Sequence, residues 1–131
     1  MHEFLVSDFS SSPATQQAQF FIIDAAVLFT ESIHAIQCVI YVAHIVGHVD
    51  HGNFYIWRSN DLAHVRLDEH REHYLTDPSR SVITKEAVAF IDESGAMFKV
   101  SPSKVINWAQ ATEALIFWLR SGSKLPSLSW S

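Results

Sequence analysis

Eight histidines give this chain its broadest chemical repertoire, because imidazole titrates near neutrality and ligates metals. His44, His48 and His51 form H-x3-H-x2-H, and His70 and His73 form H-x2-H. Zinc needs three or four N, S or O donors converging tetrahedrally. On a strand His44 and His48 share a face but stand roughly 13 Å apart at about 3.3 Å per residue, too far to chelate one ion. His48 and His51 flank a turn and converge better, so a His-rich metal enzyme stands as an alternative to plain edge and half-buried sheet histidines. Nucleophilic catalysis has less support. Cys38 lies among Ile36, Val39 and Ile40, the surroundings of an inert buried thiol and not of an activated one. The chain contains no G-x-S-x-G, phosphate-binding loop or dinucleotide fingerprint. The adjacent acids Asp68-Glu69 and Asp92-Glu93 fall in or beside turns, where paired carboxylates are ordinarily solvated and do no acid–base work. The residues therefore read as a non-enzyme with no catalytic position, metal or cofactor.

A binding surface is the better use of the polar run from Asp61 to Asp77. Asp61, Asp68, Glu69, Glu72 and Asp77 stand there against Arg66 and Arg71, with Tyr74 among them. The outer face of the neighbouring hairpin adds Tyr55, Trp57, His64 and Arg66. Aromatic and Arg anchors ringed by charge are the usual composition of a protein interface. The competing reading covers Tyr55 and Trp57 with a helix, and Phe117 has the same two readings: partner contact, or packing under a loop.

The elements that must position these residues follow from length and pattern. At 131 residues the chain suits one compact core, and is read as a single domain over 1–131 with a flexible Ser-rich lead-in over 1–12. Apolar residues make up 48% and charged residues 18%, an ordinary globular balance. The formal charge of −5 argues against direct nucleic-acid binding, which needs Lys and Arg to replace counterions, and favours a basic partner. A lone cysteine forms no internal disulfide. Met-His-Glu-Phe is not a basic leader, and the apolar run Phe20 to Phe29 holds Asp24 and is about half a membrane span. A soluble cytoplasmic protein without a membrane partner is the expectation.

Ser12-Pro13 suits a helix start, which predicts a helix over 14–31. Ile36 to Val49 is β-branched and aromatic and predicts one long strand, ended by a turn at Asp50-His51-Gly52-Asn53. Residues 54–59 and 62–67 predict a hairpin about Asn60-Asp61, pairing Phe54 with Leu67 and Tyr55 with Arg66. Phe54, Ile56, Ala63, Val65 and Leu67 then share one face, and Tyr55, Trp57, His64 and Arg66 the other. Residues 68–81 read as an exposed loop. A second hairpin with a two-residue Ser94-Gly95 turn places Ala89, Ile91, Phe98 and Val100 on one face. A last helix over 107–120 has a capping box in Asn107 and Gln110, a buried stripe of Trp108, Ala111, Leu115, Trp118 and Leu119, and a left-handed cap at Gly122. Together these predict an α+β fold: a mostly antiparallel sheet of about five or six strands, with an N-terminal and a C-terminal helix packed on it. A small-ligand-binding α+β module, with a deep apolar pocket between helix and sheet, is a further alternative.

The C-terminal third carries a resemblance. A hairpin with Gly95 in its turn leads into a helix bearing Ala111, Ala114 and Phe117, then a small-polar tail from Gly122 to Pro126 and Trp130. This order resembles the first-numbered family of bacterial immunity proteins from polymorphic toxin systems, whose members often sit beside nucleic acid deaminase toxins. The earlier hairpin, Asn53 to Asp68 with Ala63 after the turn, is also similar to the family's central strands, so the likeness spans roughly residues 36–131. The resemblance implies neutralisation of a cognate toxin by stoichiometric binding that blocks its active site or substrate groove. The toxin would be a basic, nucleic-acid-targeting enzyme, with a deaminase the first expectation. The family defines scaffold positions and no catalytic ones. The toxin-contacting set expected on this chain is therefore the surface above: Tyr55, Trp57, Asp61, His64, Arg66, Asp68, Glu69, Glu72, Tyr74 and Phe117.

Overall fold

A computed structural model describes residues 2–9 and 16–131, and the helix start expected at Ser12-Pro13 lies outside the described residues. The described elements run β1 (His2–Asp8), β2 (Gln16–Phe20), α1 (Ile23–Glu31), β3 (Gln37–Val46), β4 (Val49–Ser59), β5 (Leu62–Glu69) and β6 (Arg71–Thr76). They continue with α2 (Pro78–Ile83), β7 (Val88–Ile91), β8 (Met97–Val100), a 3₁₀ turn at Pro102–Lys104, β9 (Ile106–Asn107), α3 (Trp108–Ser121) and β10 (Ser129–Trp130). The fold is α+β. Among the described residues eight strands form one sheet in the order β10-β6-β5-β4-β3-β1-β2, with β9 beside the start of β5, and each of these pairings is antiparallel. β7 and β8 make a separate two-stranded sheet.

The first hairpin forms in the expected register, with Phe54 opposite Leu67 and Tyr55 opposite Arg66. Asn60 takes the positive φ (55°) that its turn requires. Alternation then sorts the side chains. Phe54, Ile56, Ala63, Val65 and Leu67 are fully buried against α1 and α3, together with Phe4, Val6, Ile40 and Val42 from β1 and β3. Burying each of the larger ones contributes about 1.5–3 kcal/mol. The opposite face of the sheet carries a smaller core, where Val39, Trp57, Phe90, Val100 and Val105 meet. The small β7–β8 sheet therefore lies over β3 and β4 like a flap.

α3 is built as its sequence predicts. Asn107 Oδ1 accepts from the Gln110 amide at 2.7 Å, Gln110 Oε1 accepts from the Asn107 amide at 3.2 Å, and Gly122 ends the helix at φ 71°. No helix among the described residues is long and apolar enough to cross a membrane.

Other expectations need correction. Within the supposed lead-in, His2–Asp8 is strand: β1 pairs with both β2 and β3, and Phe4 and Val6 are buried. The serines that follow had masked this alternation. The helix expected over 14–31 divides into edge strand β2 and the shorter α1, because Gln16–Phe20 finds a ladder on β1 that outweighs the helix propensity of Gln and Ala. Strand β1 precedes α1 and strand β10 follows α3.

The turn after β3 is Gly47-His48, both at positive φ (56° and 67°). Asp50–Asn53 lies within β4 and forms a bulge opposite His44 and Ile45. The loop expected over 68–81 is mostly β6 and α2. β6 turns back directly at His70 (φ 62°) and pairs Asp68 with Glu72 and Arg66 with Tyr74.

The second hairpin is shifted by one residue. Phe90 faces Phe98 and Val88 faces Val100, so Phe90 replaces Ile91 in the core. The cause is its turn. Asp92 Oδ1 accepts from the Ser94 and Ala96 amides, both at 2.9 Å, and Gly95 at φ 88° closes a three-residue loop in place of a two-residue one.

Candidate interaction surface

Pairing across four strands assembles two rows on the face of the sheet away from α1 and α3. Tyr41, Tyr55, Arg66 and Tyr74 form one row; Ala43, Asn53, Asp68 and Glu72 form the next. Arg66 is locked between them. Its Nε and Nη2 donate to the two Asp68 carboxylate oxygens at 2.8 and 2.9 Å, and Nη2 lies 3.2 Å from Glu72 Oε1. The guanidinium also sits 5.3 Å from the Tyr55 ring centre. The Asp68 hydrogen bond raises the Arg66 pKa, and the Glu72 carboxylate, accepting from the Tyr74 hydroxyl at 2.7 Å, raises that of Tyr74. Arg66 answers two carboxylates here, and Lys104 Nζ stands 4.3 Å from the Tyr74 ring centre at the end of the row.

Beside the rows lies an open groove of about 810 Å³, lined by Val49 to Asn53, Arg66, Asp68 to Glu72 and Gly122. Asp50 organises one wall, its carboxylate accepting from the Gly52 amide at 2.9 Å and from Asn53 Nδ2 at 3.1 Å. Gly52 (φ 146°) brings the backbone close to its neighbours: a Cβ there would stand 3.3 Å from both Glu69 Cγ and Trp118 Cζ2. Four carboxylates (Asp50, Asp68, Glu69 and Glu72) thus meet two arginines, and Arg66 is already paired.

The expected contact residues divide into groups. Tyr55, Arg66, Asp68, Glu72 and Tyr74 come together on this face. Trp57 and His64 do not belong to its open part. They are 9% and 7% exposed, stacked on each other at 5.3 Å and covered by Phe98 and Phe90. Their cover is the β7–β8 flap and not a helix.

His64 Nδ1 lies 2.9 Å from the Lys104 carbonyl oxygen. A carbonyl can only accept, so Nδ1 carries the proton. Burial lowers the His64 pKa, and that hydrogen bond opposes the shift. Glu69 points to the helix side, where its Oε1 accepts from Trp118 Nε1 at 2.8 Å. Asp61 is in the turn at the far end of β5, its carbonyl accepting from the Trp108 amide at 2.7 Å. Phe117 packs in the helix layer beside Ile116 and Leu125, on the other side of the sheet. Tyr41 and Asn53 went unnoticed in the sequence. The period-two pattern of Val39, Tyr41 and Ala43 would have placed Tyr41 opposite Tyr55 once the β3–β4 register was known.

The histidines divide as well. His44 faces the helix layer, stacked on Phe4 at 4.7 Å and on His2 at 5.1 Å, with the His51 ring 5.9 Å away. Its Nε2 is 2.8 Å from His2 Nδ1. Burial lowers its pKa, helped by His2 and His51 and opposed by Asp50 and Glu69. His48 and His70 are turn residues at positive φ, and His73 is buried. Among the described residues, no group of three or more His, Cys, Asp or Glu side chains is placed to hold a metal ion. Burial, reinforced by Asp8, pushes the Cys38 thiol up to about 12, far from the thiolate that nucleophilic chemistry needs. The space between Ile40 and the two long helices is about 20 Å³, room for about one water. Compared with known proteins, the chain matches no protein-family model and no curated sequence.

Proposed function

We propose that this protein is an immunity protein that neutralises a cognate bacterial toxin by stoichiometric binding. In this reading the acidic outer face of β4–β6 enters the basic groove with which a nucleic-acid-targeting toxin, a deaminase in the first instance, holds its substrate. The observation that carries the reading is the open groove in which Asp50, Asp68 and Glu72, with Glu69 on its helix side, outnumber Arg66 and Arg71. A net charge of −5 adds long-range attraction to a basic partner, and the Tyr55–Arg66–Tyr74 row supplies anchors of the kind that dominate interface energetics. The resemblance of the 36–131 segment to the first-numbered immunity family supports the same reading, and with it a cytoplasmic location.

Glu72→Lys tests it, because the Glu72 side chain is 54% exposed and its reversal leaves the core untouched. Association with a cognate toxin domain, to be sought in the neighbouring reading frame, is expected to slow about 3–10-fold at low salt, the loss shrinking as salt screens the charge. The melting temperature is expected to stay within a few degrees of wild type. Unchanged association kinetics at low ionic strength would refute the electrostatic docking.

A further inference from the structure

Away from the acidic groove, the same face of the sheet holds a second, smaller recess of about 160 Å³. It is lined by Phe9, Val39, Tyr41, Tyr55 and Glu93. Three of the five are aromatic, one is a carboxylate, and none is a cation. From this we infer that the recess is a cation-accepting aromatic cage, and that it takes one arginine side chain of a protein partner. The inference deepens the reading above and rests on it for the source of that arginine.

The walls are held in place before any ligand arrives. The Phe9 amide donates to the Val39 carbonyl at 2.9 Å, which pins the end of β1 alongside β3. The Tyr41 hydroxyl donates to Asn53 Oδ1 at 2.6 Å, fixing that ring. Tyr55 is gripped between Tyr41, at 4.8 Å and 39°, and Trp57, at 5.5 Å and 6°. Such preorganisation removes the ordering cost that weakens most small sites.

The electrostatics select a cation. Aromatic faces attract positive charge through their quadrupoles, most strongly when the site is partly desolvated. The Glu93 carboxylate lines the recess; burial first and then the Asp68 charge raise the Tyr55 pKa, Arg66 opposes them, and Glu93 and Asp50 add smaller contributions. Arg66, whose guanidinium sits 5.3 Å from the Tyr55 ring centre, is held by Asp68 and Glu72 and does not line the recess. A guanidinium suits the cage better than an ammonium, since it is flat, weakly hydrated and stacks on tyrosine. The volume fits the end of one side chain and excludes a nucleotide or a folded segment.

The test needs no toxin at first. N-acetyl-arginine amide is titrated into the full-length protein, with N-acetyl-citrulline amide as its neutral isostere, and ring signals are followed by aromatic carbon–proton NMR. Saturable shifts of Phe9, Tyr41 and Tyr55 are expected with arginine, and at least about fivefold weaker binding with citrulline. Glu93→Gln, at an exposed turn position, is expected to weaken arginine about 3–10-fold without loss of fold. Equal binding of citrulline, or no ring shifts at tens of millimolar (about the weakest affinity a lone cage would have), overturns the cage whatever the toxin does.

Toxin affinity of Glu93→Gln then decides the partner's role. A drop that parallels the loss of arginine binding supports it. Unchanged affinity, with Glu72→Lys still impaired, overturns the cage as a toxin contact and leaves the groove reading intact. Arginine binding without any toxin binding sinks the immunity reading and overturns the assignment of the arginine to that partner.

Discussion

Glu69 is the residue at which folding and partner binding are most easily confused, and a double-mutant cycle with Trp118 separates them. Its carboxylate lines the acidic groove, yet its Oε1 accepts from Trp118 Nε1 at 2.8 Å, and Trp118 is 3% exposed in the main core. Glu69→Leu leaves the indole N–H without its acceptor, at a cost of about 1.5–3 kcal/mol for a hydrogen bond to a charged group. Glu69→Gln keeps an oxygen in place and loses only the charge assistance, about 0.5–1 kcal/mol. For a chain of this size each kcal/mol lowers the melting temperature by roughly 3–6 °C. The Leu variant should therefore melt about 5–18 °C below wild type, and the Gln variant only a few degrees below. Urea unfolding followed by far-ultraviolet circular dichroism, on Glu69→Leu, Trp118→Phe and the double variant, gives the coupling directly. It is expected at about 1–2 kcal/mol. A coupling below about 0.3 kcal/mol would show that the bond contributes nothing net, and would return Glu69 to the free charges of the groove.

Acid should weaken the fold through buried His64 and half-buried His44. The pKa values of His64 and His44 are lowered in the folded state, mainly by burial. As pH falls below about 6.5 the unfolded chain takes up protons first. Their contribution is therefore complete above that pH and lost as pH drops toward the folded-state values. Melting temperatures between pH 7.5 and 5 should fall, and His64→Phe should flatten the slope; an unchanged slope would contradict the assignment. At Gly52, alanine would combine a φ of 146° with contacts at 3.3 Å to Glu69 and Trp118. Gly52→Ala should lower stability by about 1–3 kcal/mol in urea titration, and a neutral substitution would mean that the bulge relaxes freely.

The parts of the molecule that were legible in the sequence are those fixed by neighbours along the chain. Asn107, Gln110 and Gly122 mark both ends of α3 because caps act over three or four residues. The β4–β5 register follows from two adjacent strands agreeing on one apolar face across a two-residue turn. Where a side chain could satisfy the backbone in more than one way, local reading chose wrongly. Asp92 draws Ser94 and Ala96 into a longer loop, and that single residue of slip exchanges Ile91 for Phe90 in the core. Asp50 to Asn53 have turn composition but serve a bulge, since Gly47 and His48 had already turned the chain. Gln16 to Phe20 could have been helix had β1 not offered them a ladder.

For the candidate surface, the chain alone determined its chemistry: an acidic protein with Tyr55 and Arg66 at alternating strand positions and Asp68, Glu72 and Tyr74 in a polar run read as a loop. The tertiary structure decided which of those residues face outward together. It placed the β7–β8 flap over Trp57 and His64, sent Glu69 to the helix side and Phe117 beyond the sheet, and brought Phe9, Tyr41 and Glu93 from three distant segments around Tyr55. Alternation is a local property of a strand and can be read residue by residue. Which face another element covers depends on contacts between residues far apart in sequence, and no local pattern encodes them.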